Sequence, residues 1–302
     1  MASAVQCLVP AGDICGEGAV WHPEHAALYW ADINRFLVHK YSTRSSATES
    51  WLFDEPVVSV NLTTNPNLLL LVMATRITFW APITHPRTST IYHLPTAPSM
   101  RFNDAKVDPR GSLWVGTMRN NVGDEGENLN VEFSGGVLYR IDPNGSVSEW
   151  MDGIGISNTL AWSPDRSTFY FGDTIANTLY AFAFDQDTGT ISGRRPFLAG
   201  YERGLPDGSA MDSEGYLWNT RPNAACLVRI RPDGSIDRIV TLPTLKPTTC
   251  AFGGSDLRTL FITSARSPDR LSGSLFSLRT DVPGHPIERF RMTSSINLSP
   301  NK

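Results

Sequence analysis

Glu17, Val58, Asn103, Asn158, Asp207 and Thr248 occupy one phase of a pattern that recurs six times along the chain, and four of the six carry side-chain oxygen. Each is followed four positions later by an apolar residue: Trp21, Leu62, Val107, Trp162, Met211 and Phe252. Two carboxylates and two carboxamides are a donor set for a hard cation. If they converge on one axis, the carboxylates repel and the amides lack partners unless a positive ion lies among them. Oxygen-only donors suit calcium best, with manganese, magnesium, zinc or iron(II) as alternatives. None of the six histidines falls on the shared phase, and His22, His85 and His93 have no spacing that makes a ligand set. About four protein ligands leave coordination positions for water and substrate, the mark of a catalytic site.

The elements that would bring these residues together are legible further along each repeat. After the apolar residue come a turn and a β-prone run. The turns include Asp108-Pro109-Arg110-Gly111 and Ser163-Pro164-Asp165-Arg166, and the runs begin near Leu28, Leu70, Leu113, Phe169, Leu217 and Leu260. Third strands come next, as in Val137–Ile141, Thr178–Phe184 and Cys226–Ile230, and then hairpin signals such as Asp142-Pro143-Asn144-Gly145. The repeat length, about 40 to 55 residues, fits one four-stranded propeller blade. No stretch holds a helical apolar period. The expectation is an all-β, six-bladed β-propeller with four-stranded antiparallel blades, a single domain over residues 1–302, in which equivalent residues ring a central channel. Ala4–Val9 is expected to close the last blade as its outer strand. The polar insertion Arg119–Ser134 is expected either to cover the channel mouth as a lid or to be a solvated loop.

Composition narrows the function classes. The chain has 302 residues, 41% of them hydrophobic, with 26 Lys plus Arg against 30 Asp plus Glu, a net charge of −4. No run of like charge suggests nucleic acid, and the longest apolar run, Leu68–Ala74, is a strand's length rather than the ~20 residues of a membrane span. Met1–Asp13 shows no basic and apolar leader pattern. Cys7, Cys15, Cys226 and Cys250 have no metal-site spacing and are read as reduced thiols in a cytoplasmic protein, with a Cys7–Cys15 disulfide the less favoured alternative. Gly-x-Ser-x-Gly and phosphate-loop patterns are absent. Trp21, Trp114, Trp162 and Trp218 recur at blade positions and read as packing between blades. Asp104 and Asp108 read as turn and packing residues.

Several of these stretches together resemble the regucalcin and gluconolactonase family of sugar lactone lactonases. They are Gly16-Glu17-Gly18-Ala19-Val20-Trp21, Arg101-Phe102-Asn103-Asp104-Ala105-Lys106-Val107-Asp108, Leu113–Met118, Ile156–Ser163, Leu205-Pro206-Asp207-Gly208 and Thr249–Gly254. The resemblance spans nearly the whole chain in the right order. It implies a six-bladed propeller with one divalent metal in the channel, hydrolysing cyclic sugar esters. It carries over Glu17, Asn158 and Asp207 as metal ligands, Asn103 as close to metal and substrate, and Arg101 as a substrate contact. Two departures stand out: Asn121 replaces an acidic residue that faces substrate in mammalian-type relatives, and Thr220–Ala225 replaces a Gly-rich turn. A changed pocket wall and a changed sugar preference are expected.

The resulting expectation is a metal-dependent hydrolase that opens an aldonolactone to its aldonic acid with metal-activated water. Asp207 is the general base, and Arg101, Asn103 and Asn121 bind the small-molecule substrate. The alternatives are an organophosphate-ester hydrolase on the same site, or a non-catalytic calcium- or sugar-binding propeller.

Overall fold

The computed structural model describes residues 4–83 and 87–293; His85 lies outside them. Blade 1 is built from β2 (Gly16–His22), β3 (Ala27–Asp32), β4 (Leu37–Ser42) and β5 (Thr48–Leu52), preceded by β1 (Gln6–Val9). Blade 2 holds β6 (Val57–Leu62), β7 (Leu69–Met73), β8 (Arg76–Trp80) and β9 (Arg87–His93), and blade 3 holds β10 (Met100–Val107), β11 (Leu113–Arg119), β12 (Gly136–Ile141) and β13 (Val147–Ile154). Blade 4 holds β14 (Ser157–Trp162), β15 (Thr168–Asp173), β16 (Thr178–Asp185) and β17 (Thr190–Ala199), and blade 5 holds β18 (Ser209–Met211), β19 (Leu217–Arg221), β20 (Cys226–Ile230) and β21 (Ile236–Thr241). Blade 6 consists of β22 (Pro247–Gly253), β23 (Thr259–Ser264) and β24 (Leu275–Arg279), with β1 as its outer strand. Every pairing within the blades is antiparallel, and the described residues contain no helix. The fold is a six-bladed β-propeller.

Burial explains why the apolar runs are the clearest signal. Second strands lie between neighbouring blades and are covered on both faces, so every residue of β3 and β7 is buried. Outer strands face solvent, and four of the five residues of β5 are exposed. The seams between blades are filled with aromatic rings. Trp114 of blade 3 lies 6.3 Å from Trp162 of blade 4, Trp218 of blade 5 lies 6.1 Å from Phe252 of blade 6, and Trp21 stacks on Phe261 at 5.8 Å. Burying rings of this size is the dominant stabilisation available to such seams. All four cysteines are free thiols.

The ring closes from both termini. Gln6 pairs with Ser277 and Cys7 with Phe276, so an N-terminal strand completes the last blade and removes its edge. At the other terminus, the segment after β24 runs under the inner-strand ends: His285 N donates to Met211 O (2.9 Å), Phe290 N to Leu62 O (2.9 Å) and Arg291 N to Gly111 O (3.0 Å). It encloses a small cavity of about 60 Å³, lined by Asn61, Lys106, Leu160, Ser209, His285 and Glu288 among others. The ring residues sit at the opposite ends of the inner strands.

Candidate functional site at the channel hub

Five of the six ring residues, all but Asp207, stand where the inner strands lose register with their partners. Pairing slips between Glu17 and Val20, between Val57 and Ser59, between Phe102 and Ala105, between Asn158 and Leu160, and between Pro247 and Cys250. A bulge bends its strand and re-aims a side chain that regular pleating would send into a seam. After Glu17 the chain turns through Gly18 at φ 61°, where an added Cβ would lie 2.6 Å from both Ser59 Cα and Val58 O. After Asn158 it turns through Thr159 at φ 53°, a strained setting for a β-branched residue. The Thr159 hydroxyl donates to the Asp207 carbonyl and shares a 2.9 Å hydrogen bond with Ser209 Oγ. Asp207 lies in the segment entering β18, and its N–H donates to Thr220 O at 3.2 Å.

Four of the predicted residues form one hydrogen-bonded group. Asn103 Nδ2 donates to Asn158 Oδ1 (3.1 Å) and Ser157 O (2.8 Å), while Asn103 Oδ1 accepts from Arg101 Nη1 (2.7 Å). Asn158 Nδ2 donates to Thr174 Oγ1 (2.8 Å), whose hydroxyl donates to Pro206 O (2.8 Å), the residue before Asp207. Asn121 Oδ1 accepts from Arg101 Nε (3.0 Å) and Nη2 (2.8 Å), and Arg101 Nη1 also reaches Phe102 O (2.8 Å). Four hydrogen bonds therefore engage the buried Arg101, and most of its five N–H groups orient Asn103 and Asn121. Val58 is buried and brings no donor atom, and the Thr248 hydroxyl is engaged by the Gly16 carbonyl and by Thr263 Oγ1 (2.9 Å).

Electrostatics join the two carboxyl groups to this assembly. Burial pushes the Glu17 carboxyl well above the usual range, and the charges of Asp207 and Asp104 push it further. Burial and the Asp104 charge push Asp207 upward in the same way. Arg101 is held down to about 10 by burial, and Glu17 acts against that shift. Two residues join that the residue pattern alone does not single out. Asp104 sits at the β10 bulge among these charges, accepting the backbone N–H of Ala105 at 2.8 Å and those of Thr159 and Leu160. Burial, Glu17 and Asp207 push the Cys15 thiol up, so it stays protonated beside the carboxyls. Asp108 is the turn residue expected, accepting from Arg110 N (2.8 Å), Ser112 N (2.9 Å) and Trp114 Nε1 (2.9 Å).

The segment between β11 and β12 reaches over this end of the molecule. It leaves blade 3, offers Asn121 to Arg101, buries Val122 in a cluster with Ile33, and meets the β3–β4 turn of blade 1. There Asn34 Nδ2 donates to Gly126 O (2.7 Å) and Asn128 Oδ1 (3.2 Å). The departure at Thr220–Ala225 places Arg221 in the blade, buried, with its guanidinium 5.0 Å from the Tyr201 ring centre.

The donor set fits a divalent cation. Glu17 and Asp207 are mutually repelling carboxyls, and the cationic group that offsets Glu17, Arg101, is already engaged by the two asparagines. Two charges of this kind beside amide oxygens match a hard 2+ ion. Among the described residues no three His, Cys, Asp or Glu side chains gather as a ligand set. Any cation here therefore depends on the amide oxygens of Asn103 and Asn158.

A six-bladed propeller with carboxyl and carboxamide oxygens gathered at one end of its hub defines the class. The chain belongs to the family described as SMP-30/Gluconolactonase/LRE-like region, which it matches over residues 15–266. It is 33% identical to a pentonolactonase of Haloferax volcanii, over 90% of this chain and 92% of that protein. It is also 33% identical to a 6-deoxy-6-sulfogluconolactonase of Pseudomonas putida, over 94% and 97%. Among solved structures, the regucalcin of Agrobacterium tumefaciens, described as a calcium-binding protein, superposes with a TM-score of 0.87 at 26% identity, covering 96% of this chain and 98% of that one.

Proposed function

We propose that the protein is a metal-dependent sugar lactone hydrolase that opens an aldonolactone to the aldonic acid. The observation that carries this reading is the meeting of Glu17, Asn103, Asn158 and Asp207, from four different blades, at one end of the channel. The pentonolactonase and sulfogluconolactonase relatives support the substrate class. These four residues would hold the cation. When bound, a divalent cation supplies Lewis acidity towards an ester carbonyl and balances the two carboxylates.

The chain's own groups do the rest. Asn121, on the segment over the hub, and the remaining N–H of Arg101 face the substrate hydroxyls, while the Asn103 amide is held in place by Arg101. Asp207 Oδ takes a proton from the attacking water as its oxygen bonds to the lactone carbonyl carbon. It returns that proton to the ring oxygen as the ring C–O bond breaks.

The test is a pH-stat assay over a panel of aldonolactones, with chelator-treated protein and metal-by-metal restoration. Activity should vanish on chelation and return with a divalent ion. Asp207→Ala should lose about 10²- to 10⁴-fold in kcat, and Asp207→Asn should lose turnover while retaining part of the metal affinity. Full activity after chelation would overturn the metal requirement. Tight calcium binding with no lactone opened would favour the binding-protein reading, to which the calcium-binding relative lends weight.

A further inference from the structure

Among the described residues, two blades carry a device that the other four lack, and both are blades whose ring residues are proposed cation ligands. In blade 1, Asp32 accepts the backbone N–H of Ile14 (Oδ2, 3.0 Å) and Cys15 (Oδ1, 3.1 Å). In blade 4, Asp173 accepts those of Gly155 (Oδ2, 3.0 Å) and Ile156 (Oδ1, 3.3 Å). Each pair of amides belongs to the third and second residues before the ring residue, Glu17 in one case and Asn158 in the other. The return bonds match as well: Ile33 N donates to Cys15 O at 3.0 Å, and Thr174 N to Ile156 O at 3.0 Å. The same sequence interval separates Glu17 from Asp32 and Asn158 from Asp173, and Gly16 pairs with Asp32 just as Ser157 pairs with Asp173.

Both carboxylates are buried and heavily engaged. Asp32 is fully buried and also meets Arg35 Nε, and Arg35 Nη2 reaches Asp13 at 2.8 Å. Asp13 in turn accepts from Trp30 Nε1 at 2.8 Å. Asp173 also accepts from Ile175 N (3.0 Å) and Ala176 N (3.3 Å), which fixes the next turn. The residues paired at the corresponding position in blades 2, 3 and 6 are Met73, Thr117 and Ser264, and the same sequence interval in blade 5 falls on Pro222, so none of these blades offers a carboxylate there. Blades 3 and 5 carry their carboxylates at the far end instead, where Asp108 and Asp212 hold a turn and the indole N–H of Trp114 and Trp218.

We infer that Asp32 and Asp173 are positioning residues for the cation site, each clamping the two amides upstream of a ligand so that its side-chain oxygen meets the ion at a fixed height. A bulged strand has lost part of its ladder, so the segment entering it needs another anchor. A carboxylate spanning two adjacent N–H groups supplies one with charge-assisted strength. Blades 1 and 4 stand opposite each other in a six-membered ring, so the two clamps set the span across the hub. Ligand placement of this indirect kind typically governs about 10- to 100-fold in metal affinity.

The inference rests on Glu17 and Asn158 being ligands, and the experiment separates the two claims. Chelator-treated wild type is titrated with Mn²⁺ by calorimetry, and the bound ion is followed by electron paramagnetic resonance. Wild type should bind and Glu17→Gln should bind far more weakly; failure of either overturns the ligand assignment itself. With those in hand, Asp32→Asn and Asp173→Asn should each weaken Mn²⁺ by about 10- to 100-fold and broaden the resonance, since an amide offers one acceptor oxygen where the carboxylate offers two. Asp108→Asn, the same change at the far end, should lower the melting temperature comparably and leave Mn²⁺ affinity within about twofold. If the Asp32 and Asp173 variants track Asp108→Asn in both measurements, the clamps are structural only and the inference falls. The two blades are independent, so a variant that does not fold in one leaves the other to decide.

Discussion

At the scale of single residues, the sequence assigns His22 no ligand role, and its surroundings give it another one. Its Nε2–H donates to Pro66 O at 3.1 Å, linking the blade 1 turn to blade 2, while Nδ1 accepts the His25 N–H at 3.3 Å. The His25 ring stacks on it at 3.7 Å, and Glu24, 3.2 Å from Nδ1, is itself paired with Arg289. Burial, and then the His25 ring, lower the His22 pKa to about 4. The imidazole is therefore neutral in the fold and takes up a proton near pH 6.5 once unfolded. Between those values the unfolded chain binds more protons, so stability is complete above about pH 6.5 and is lost as pH falls towards 4. His22→Gln keeps an N–H donor without titrating. Chemical denaturation at pH 7.5 and 4.5 should show the wild type losing on the order of 2 kcal/mol more than the variant over that interval. Equal losses would show that His22 does not carry this dependence.

At the scale of strands and loops, burial decides what sequence can reveal. Second strands are legible to within a residue or two because two neighbouring blades cover them, which makes their apolar runs continuous: Leu28–Asp32 is expected and Ala27–Asp32 is found. The ring phase is legible because each member keeps a fixed distance from an apolar anchor. Asp104 escapes a reading by alternation because strict alternation sends it away from Asn103, and the register shift between Phe102 and Ala105 breaks that alternation where it matters. The clamps on Ile14–Cys15 and Gly155–Ile156 are invisible in sequence because they are contacts between strands, and only the equal spacing of Asp32 and Asp173 hints at them. The insertion's course is equally hidden, since its docking point, Asn34, lies two blades away. Removing that docking should free the loop without harming the propeller. Asn34→Ala deletes the bonds to Gly126 and Asn128, so limited proteolysis should cut within residues 123–134 at least about tenfold faster, while global stability falls by only about 1 kcal/mol. If the loop carries Asn121 to the substrate, KM for the lactone should rise severalfold with kcat nearly constant. Faster cleavage with an unchanged KM would remove the loop from the substrate pocket.

At the scale of the whole molecule, the propeller is a ring held shut at one end and carrying the candidate site at the other. Inner strands of about six residues separate the two ends by roughly 20 Å. The hub end depends on the seam between blades 6 and 1, where Thr248 meets Gly16 and Cys15 bridges to Ala265, beside Glu17. The far end is tied by the segment after β24. It bonds to blades 5, 2 and 3 through Met211, Leu62 and Gly111, pairs Arg289 with Glu24 of blade 1 and Glu288 with Arg166 of blade 4, and buries Phe290 against Phe79 at 6.1 Å. Phe290 is 1% exposed in the core between blades 2 and 3, so Phe290→Ala should cost about 3 to 5 kcal/mol. Because the tie spans most of the ring, that loss should appear as a lower melting temperature with one cooperative transition retained. Phe290 packs at the end away from the hub, so Mn²⁺ affinity and lactone KM should stay within about twofold at temperatures where the variant is folded. Calorimetric unfolding and metal titration on the same preparation check both halves. Two separate transitions would mean that the blades unfold independently, and weakened metal binding would mean that the far end reaches the hub through the inner strands.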